Sequence, residues 1–383
     1  MAIPFSSARP APSDEVLRLS ALTLTGFRNL APQTLMPHPR FTRIVGENGQ
    51  GKTNLLEAIH YTLTLRPLRT AKLRELVQHA CSETSLHATL AFGDTQTNFR
   101  VQLLAESTPI HRVLRRELKT VQTDEYLTAG AVVGFTPDDL GLIRGGPERR
   151  RRFLDRAVFN RWPAYLGEAR TYQRLLKSRN QLLRQRAPRD LREPFEAQLW
   201  LAGARLLSRR HALLAELRPL VSEAFDRIGL AGVAVQMKYK GLAAPASLQA
   251  GAAALAAAAE EKLALDQDRG FTSIGPHADD LGLGLGGRSA RLYASQGQTR
   301  ALVLALKVAE IENLRAQLGH APILLLDDVS SELDPRRNQS FMTYLRERPA
   351  QVFLTTTDDT ALALSLEGES VRWVMAQGIV KTE

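Results

Sequence analysis

The sequence predicts an α/β fold: a phosphate-binding head with a mixed sheet and an antiparallel β-subdomain, interrupted by an inserted helical arm. Three observations predict it. The apolar run Phe41–Val45 leads into Gly46-Glu47-Asn48-Gly49-Gln50-Gly51-Lys52-Thr53, a G-x-x-x-x-G-K-T loop, with helix-period residues after it. A second apolar run, residues 323–326, ends in Asp327-Asp328. Between the two, residues 148 to about 227 carry helical periodicity with few strand signals.

A chain of 383 residues is long enough for a large core and one further subdomain. Hydrophobic content of 44% and charged content of 23% are ordinary for a globular protein, and no apolar run approaches a membrane span. Residues 1–14 are rich in Ala, Pro and Ser, lack a secretory pattern and are expected to form a disordered tail. Cys81 is the sole cysteine, which rules out an intrachain disulfide and a thiolate metal cluster and fits a reducing cytoplasm. The net charge of +10 points to a polyanionic partner, either nucleic acid or an acidic membrane face.

Taken in order, residues 16–27 alternate as a strand and end at Gly26-Phe27-Arg28-Asn29. Phe41–Val45 is the next strand. The glycine loop then lets backbone N–H groups curl round a phosphate chain without Cβ clashes, and the following helix adds its unpaired N–H groups and positive dipole end. Gly46, Glu47, Asn48, Gly49, Gln50, Gly51 and Asn54 are the expected nucleotide contacts. Lys52 is placed to reach the β/γ-phosphates and Thr53 to coordinate Mg²⁺. Leu55, Ile59 and Leu63 share a helix face, and Pro67 breaks the helix. Arg69 either folds back to the γ-phosphate or is a solvated loop arginine. Alternation at Leu86, Ala88, Leu90 and Phe92 and at Phe99, Val101 and Leu103 predicts an antiparallel hairpin, with residues 113–121 adding a strand. Residues 131–135 form a buried run, and Thr136-Pro137-Asp138-Asp139 reads as a capped helix start.

The arm begins after Gly145-Gly146-Pro147. Tyr172, Leu175, Leu176, Leu182 and Leu183 make one apolar face. Phe195, Leu199, Ala202, Leu206, Leu213 and Leu217 make a second, with residues 188–194 as the turn between them. Val233, Val235, Met237 and Tyr239 alternate as a strand, and the alanine-rich residues 243–259 predict a helix. The domain boundaries that follow are 15–144 and 266–383 for the two halves of the head and 145–265 for the arm.

The second half of the phosphate site follows. Ser295-Gln296-Gly297-Gln298 opens a helix, so Ser295, Gly297 and Gln298 offer a hydroxyl and exposed N–H groups to an anion; on its own this is also an ordinary helix cap. Asp327 closes a buried parallel strand and would hold Mg²⁺, while Asp328 is placed to orient or deprotonate an attacking water. The alternative is a structural pair of strand-end aspartates. Ser331-Glu332-Leu333-Asp334-Pro335 reads as a turn, and Asp334 is a further expected nucleotide contact. Thr356, at the end of the strand over 352–354, can bond the γ-phosphate or the water.

In this order the motifs resemble an ABC-type ATPase head with a helical insertion. That resemblance implies a head-to-tail homodimer with two ATP molecules between subunits, the Ser-Gln-Gly-Gln helix of one copy completing the loop of the other. The likeness is closer still to the RecF family of SMC-like ATPases, over nearly the whole chain. It is carried by Thr25 to Asn29, the loop through Asn54, Phe135 to Leu140, Gly146-Pro147 with Arg150 to Asp155, Gly275-Pro276-His277, Ser295 to Gln298, and Leu325 to Asp334. The family implies an ATP-dependent DNA-binding dimer acting at single-strand/double-strand junctions and gaps, with slow ATP hydrolysis. It also implies work with RecO and RecR in loading RecA, in support of replication and the SOS response. Asp328 stands where most ABC ATPases carry Glu, and a shorter side chain there fits weak turnover.

Arg149, Arg150, Arg151, Arg152, Arg170, Arg174, Lys177, Arg179 and Arg184 are candidate DNA phosphate contacts, or else a solvated charged helix face. Sparse aromatic residues point to backbone contact without base readout. Two other readings compete. A transporter ATPase subunit or another ABC/SMC-type assembly would need a membrane or other partner and usually a Leu-Ser-Gly-Gly-Gln signature. An architectural protein keeping nucleotide only for folding is opposed by Lys52, Asp327 and Asp328 together.

Overall fold

A computed structural model describes residues 16–69, 72–106, 110–127, 132–230, 232–328, 335–360 and 366–383. The chain forms two compact units, one of residues up to 139 and from 310 onward, the other Leu140–Ala309.

In the first unit, β1 (Arg18–Thr25) and β2 (Gln33–Leu35) precede β3 (Phe41–Val45), whose five residues are all buried. The glycine loop follows, then α1 (Lys52–Thr64). The helix stops where Leu65 turns left-handed at φ 56° and donates its N–H to the Tyr61 carbonyl. The alternating segments form β4 (Glu83–Phe92) and β5 (Thr95–Leu104), joined by β6 (His111–Arg116) and β7 (Lys119–Thr120). Along β4, Thr84, Leu86, Ala88 and Leu90 are buried and the residues between them are not, the pattern of a sheet with one wet face. A short helix, α2 (Thr123–Leu127), leads to β8 (Val132–Phe135).

The second unit holds α3 (Gly141–Arg144), α4 (Pro147–Arg161), α5 (Tyr165–Arg184) and α6 (Arg189–Phe225). These are followed by β9 (Val235–Lys240), α7 (Leu248–Glu261), α8 (Leu263–Arg269), β10 (Asp280–Leu285), β11 (Arg288–Ser289) and α9 (Ala290–Tyr293). The next helix, α10 (Gln296–Leu318), starts in this unit, and its residues from Glu310 belong to the first. The first unit is completed by β12 (Ile323–Asp327), α11 (Pro335–Arg346), β13 (Val352–Thr356), β14 (Ser370–Ala376) and β15 (Ile379–Thr382).

Two sheets build the first unit. One is antiparallel, in the order β2-β1-β4-β5-β6-β7. The other runs β15-β14-β3-β13-β12-β8, parallel except for β15. Its strands β3, β12, β13 and β8 are buried along their whole lengths, as a parallel sheet covered on both faces requires. Gln351 ties the two sheets together. Its side chain accepts the Leu19 N–H at 2.7 Å and donates to the Leu19 and His38 carbonyls at 3.0 Å each. Buried completely, it satisfies backbone groups that would otherwise be unpaired.

The second unit's helices pack by the faces the sequence shows: Tyr172, Leu175, Leu176 and Leu183 on α5, and Leu199, Ala202, Leu206, Leu213 and Leu217 on α6, are buried. Four expectations change. Residues 266–309, placed above with the head, cluster with the helical unit, because β10 pairs with β9 along its length. Pro194 lies inside α6 instead of in the turn, and the long helix, held by packing on its neighbours, absorbs the missing hydrogen bond. Phe195 is exposed instead of buried. Thr136 does not cap with its side chain; Asp139 reaches back instead, accepting the Thr136 N–H at 2.8 Å and hydroxyl at 3.3 Å over the 3₁₀ turn Pro137–Leu140. The 1–14 tail lies outside the described residues. Among the described residues, no helix is long and apolar enough to cross a membrane.

Two of the arginines grouped as DNA contacts are structural. Arg179 is 1% exposed and pairs with Asp266 at 3.0 Å and Glu196 at 2.9 Å, its guanidinium 5.1 Å from the Trp200 ring centre. Arg150 is 4% exposed and grips Asp280 through two bonds of 2.7 and 2.9 Å. Each helix turns an arginine towards an acid that is remote in sequence, where burial makes pairing obligatory. Arg152 is exposed and pairs with Glu148 on its own helix, Arg151 donates to the Asp279 carbonyl at 2.9 Å, and Arg184 donates to the Gly270 carbonyl at 3.4 Å. Arg149, Arg170, Arg174 and Lys177 are exposed.

Replacing Arg179 by Met should therefore cost about 3–5 kcal/mol in urea unfolding, because Asp266 is left buried and unpaired. Arg174→Met should change stability by less than about 0.5 kcal/mol. Adding Asp266→Asn to Arg179→Met should recover much of the loss.

Candidate nucleotide-binding site

The site forms where parallel strands end, the usual ligand crevice of such sheets. β13 lies between β3 and β12 and sets Thr355 opposite both Ile44 and Asp327. Every group below lies in the first unit except the Ser295 segment.

Glycines shape the loop. Gly51 adopts φ +112°, which strains any larger residue, and a Cβ there would sit tightly, 3.0 Å from the Leu30 side chain and 3.1 Å from that of Asn29. A Cβ on Gly46 would collide with the Met375 carbonyl. Asn48 and Gly49 stand exposed at the loop's crest. Gln50 anchors its far side: the Gln377 N–H donates to Gln50 Oε1 at 2.6 Å and the Gly378 N–H to the Gln50 carbonyl at 3.0 Å. The turn between β14 and β15 thus holds the loop.

Lys52, 8% exposed, donates through Nζ to the Gly46 carbonyl and, at 2.9 Å, to the Glu47 carbonyl. Burial lowers its pKa, and the charges of Asp328 and Asp327 oppose that shift. Asp327 is the hub. Its Oδ1 accepts the Thr53 hydroxyl at 2.9 Å and the Thr355 hydroxyl at 2.8 Å. Burial raises its carboxyl above the usual range, and the two hydroxyl bonds pull it back. Asp328 takes left-handed backbone (φ 51°), and its N–H donates to Thr355 Oγ1 at 2.9 Å.

Thr53 and Asp327 fit a magnesium ion. They present two hard oxygens side by side, leaving other positions to phosphate and water, the manner in which Mg²⁺ is commonly held. Among the described residues no group of three His, Cys, Asp or Glu side chains could hold a metal alone, so phosphate oxygens would be needed.

Glu57 organises the neighbouring side. Fully buried on α1, it accepts Arg28 at 2.9 and 2.8 Å and the N–H groups of Leu68 at 3.0 Å and Arg69 at 3.3 Å. The Arg69 guanidinium donates to Asn54 Oδ1, and Asn54 in turn donates to Asn29 at 2.6 Å. Arg69 thus lies against the first turn of α1 with its side chain exposed to solvent.

Thr355, not Thr356, meets Asp327. The Thr356 hydroxyl donates to the Asp358 carbonyl at 2.7 Å and accepts the Asp358 N–H at 3.2 Å, closing its own turn. Adjacent strand residues face opposite ways, so the parity of β13 makes the choice. Strand pairing across 28 residues of sequence was the missing signal for Thr355. For Glu57 the signal was present, a carboxylate among Leu55, Leu56, Ala58 and Ile59. Asp334 lies outside the described residues.

In the second unit Ser295 and Gln298 cap each other. The Gln298 N–H donates to Ser295 Oγ at 3.2 Å, and the Ser295 N–H donates to Gln298 Oε1 at 2.9 Å. This reciprocal capping box leaves the helix start exposed, with Gly297 in its first turn.

A protein named DNA replication and repair protein RecF from Anaeromyxobacter sp. (strain Fw109-5) is 53% identical over 348 residues, 89% of this chain and 93% of that one. The family model described as the RecF/RecN/SMC N terminal domain matches residues 18–380. The chain belongs to the RecF family. A RecF from Myxococcus xanthus (strain DK1622) is 45% identical over 373 residues, 94% of this chain and 96% of that one. A solved structure of the recombination mediator protein RecF with ATP, in the RecFOR pathway, superposes with a TM-score of 0.87 at 28% identity, covering 96% of this chain and all of that one. An Smc head domain from Pyrococcus furiosus, at 14% identity and TM-score 0.54, shares the fold. The RecF-family fold is that of an ABC-type P-loop ATPase head.

Because burial raises the Asp327 carboxyl, its ionised form costs stability, and that cost grows as pH rises through the interval between the ordinary and the raised value. Asp327→Asn should therefore melt at or above the wild-type temperature without nucleotide. At 100 times Kd, ATP with Mg²⁺ should stabilise the wild type by about 2.7 kcal/mol. In thermal melts the variant should lose that gain.

Proposed function

We propose that the chain is an ATP-driven DNA clamp serving DNA replication and repair, with ATP and Mg²⁺ closing a homodimer at gaps and single-strand/double-strand junctions. The observation that carries the reading is the Thr53–Asp327–Thr355 cluster beside Lys52. It presents a cation, a metal-binding pair and a glycine loop at the ends of the central parallel strands, the parts that phosphoryl transfer needs.

In this reading the N–H groups of residues 46–54 and the Lys52 ammonium hold the triphosphate. Mg²⁺, when bound by Thr53 and Asp327, neutralises charge on the β- and γ-phosphates. Asp328 orients or deprotonates the water. Its short side chain and its N–H tether to Thr355 restrict its reach, which supports slow hydrolysis. Thr355 takes the position first given to Thr356. Ser295, Gly297 and Gln298 of a second copy close over the γ-phosphate, and Asp334 is a further nucleotide contact in this reading. Their self-contained capping box supports this, since the helix start needs no other partner to stay formed. Loss of the γ-phosphate then opens the clamp.

A relative solved with ATP belongs to the RecFOR pathway. On that footing the clamp works with RecO and RecR to load RecA, its ATPase is weak and stimulated by DNA, and it supports the SOS response. Exposed Arg149, Arg170, Arg174 and Lys177 and the half-buried Arg151 remain DNA contacts in this reading, and Arg150 does not.

Light scattering with ATP or ADP, with and without gapped DNA, tests the proposal. ATP should give dimers, ADP monomers, and gapped DNA should raise hydrolysis. Lys52→Arg should abolish both dimerisation and stimulated hydrolysis. A Lys52→Arg protein that still dimerised and bound DNA with ATP would falsify the clamp.

A further inference from the structure

We propose that the outer face of the three-stranded sheet in the second unit is a phosphate-backbone site, a trough that seats a nucleic-acid strand. The trough has a volume of about 220 Å³. The reading rests on the DNA-binding function proposed above and adds a site to it.

β10 has the sequence Asp280-Leu-Gly-Leu-Gly-Leu285. Its leucines are buried, so Asp280, Gly282 and Gly284 share the other face. Glycine inside a strand weakens it and marks a place where a ligand or another backbone comes close. Here the two glycines leave room for neighbouring side chains to lie flat across the strand. A Cβ on Gly282 would come within 2.8 Å of the Lys240 side chain, and one on Gly284 within 3.0 Å of Gln236.

The walls are basic. β9 sets Lys238 opposite Gly282 and Lys240 opposite Asp280, both exposed. Across β10, Arg288 and Arg291 line the other side. Asp280 is the acid in the lining, and Arg150 neutralises it through two bonds of 2.7 and 2.9 Å. Lys238, Lys240, Arg288 and Arg291 are thus four cations in excess round a glycine-containing floor. A single anion would need one focused cluster, whereas cations on both flanks of an open trough match successive phosphates of a strand. With backbone on its floor and no aromatic in its lining, the trough offers no base readout.

The test uses the full chain and a fluorescently labelled gapped duplex, with binding followed by anisotropy from low to high salt. Changing Lys238, Lys240, Arg288 and Arg291 together to Gln should weaken binding about tenfold or more and lower the log–log salt slope by about 3 to 4, at roughly 0.9 per phosphate contact. ATP affinity and melting temperature should hold. Gly282→Val fills the floor at unchanged charge and should also weaken DNA binding, which general charge attraction would not produce. If the quadruple variant kept wild-type affinity and slope, the trough would be refuted. So would a result in which it lost affinity for inorganic phosphate alone while holding DNA as tightly as before. A wild-type chain that bound no DNA would instead overturn the function on which the site rests, and the trough with it.

Discussion

One carboxylate oxygen, Asp327 Oδ1, accepts two hydroxyls, one from the first turn of the phosphate-loop helix and one from the adjoining strand. The glycine loop, the central strand and the neighbouring β13 can reach it together only in the parallel register that sets Thr355 beside both Ile44 and Asp327. The sheet's register is therefore the condition for the site. Burial makes the arrangement costly for an ionised carboxyl, and the hydroxyl bonds only partly offset that. A metal ion bridging to phosphate would complete the compensation. Nucleotide binding and stabilisation of the head are thus two aspects of the same electrostatic balance.

Around this hub, buried polar groups hold the loop in place from two directions. Gln50 is gripped by the turn between the last two strands, so the end of the described chain braces a motif more than 300 residues away. Glu57 gathers Arg28, Leu68 and Arg69 against the helix. Its full burial means that each of these bonds is needed, since an unpaired charge there would be strongly destabilising. The same logic sorts the arginines of the helical unit. Arg150, itself buried, is paired with Asp280 and Arg179 with the buried Asp266, while Arg170, Arg174 and Lys177 remain on the surface of α5.

Much of this was legible in the sequence. The strands at Phe41–Val45 and Ile323–Asp327 appear where apolar runs meet glycine and aspartate, because burial on both faces leaves an unambiguous pattern. Lys52, Thr53 and Asp327 were named from motif and spacing, and they do come together. What was not legible depends on contacts across the chain. A helical arginine looks alike whether it faces solvent or, as Arg179 does, an aspartate 87 residues away. Thr355 and Thr356 differ by one position, and only strand pairing tells which faces Asp327. Pro194 reads as a turn residue locally, yet the packing of α6 overrides it.

In the proposed clamp each nucleotide would be held by Lys52 of one copy and Ser295 of another. Mixing chains carrying Lys52→Ala with chains carrying Ser295→Arg tests it directly, by measuring ATP hydrolysis on gapped DNA. Each variant alone has a defect in every composite site and should be inactive. A mixed dimer has one intact site, so activity should return on mixing. A mixture as inactive as its components, with mixed dimers shown to form, would contradict it.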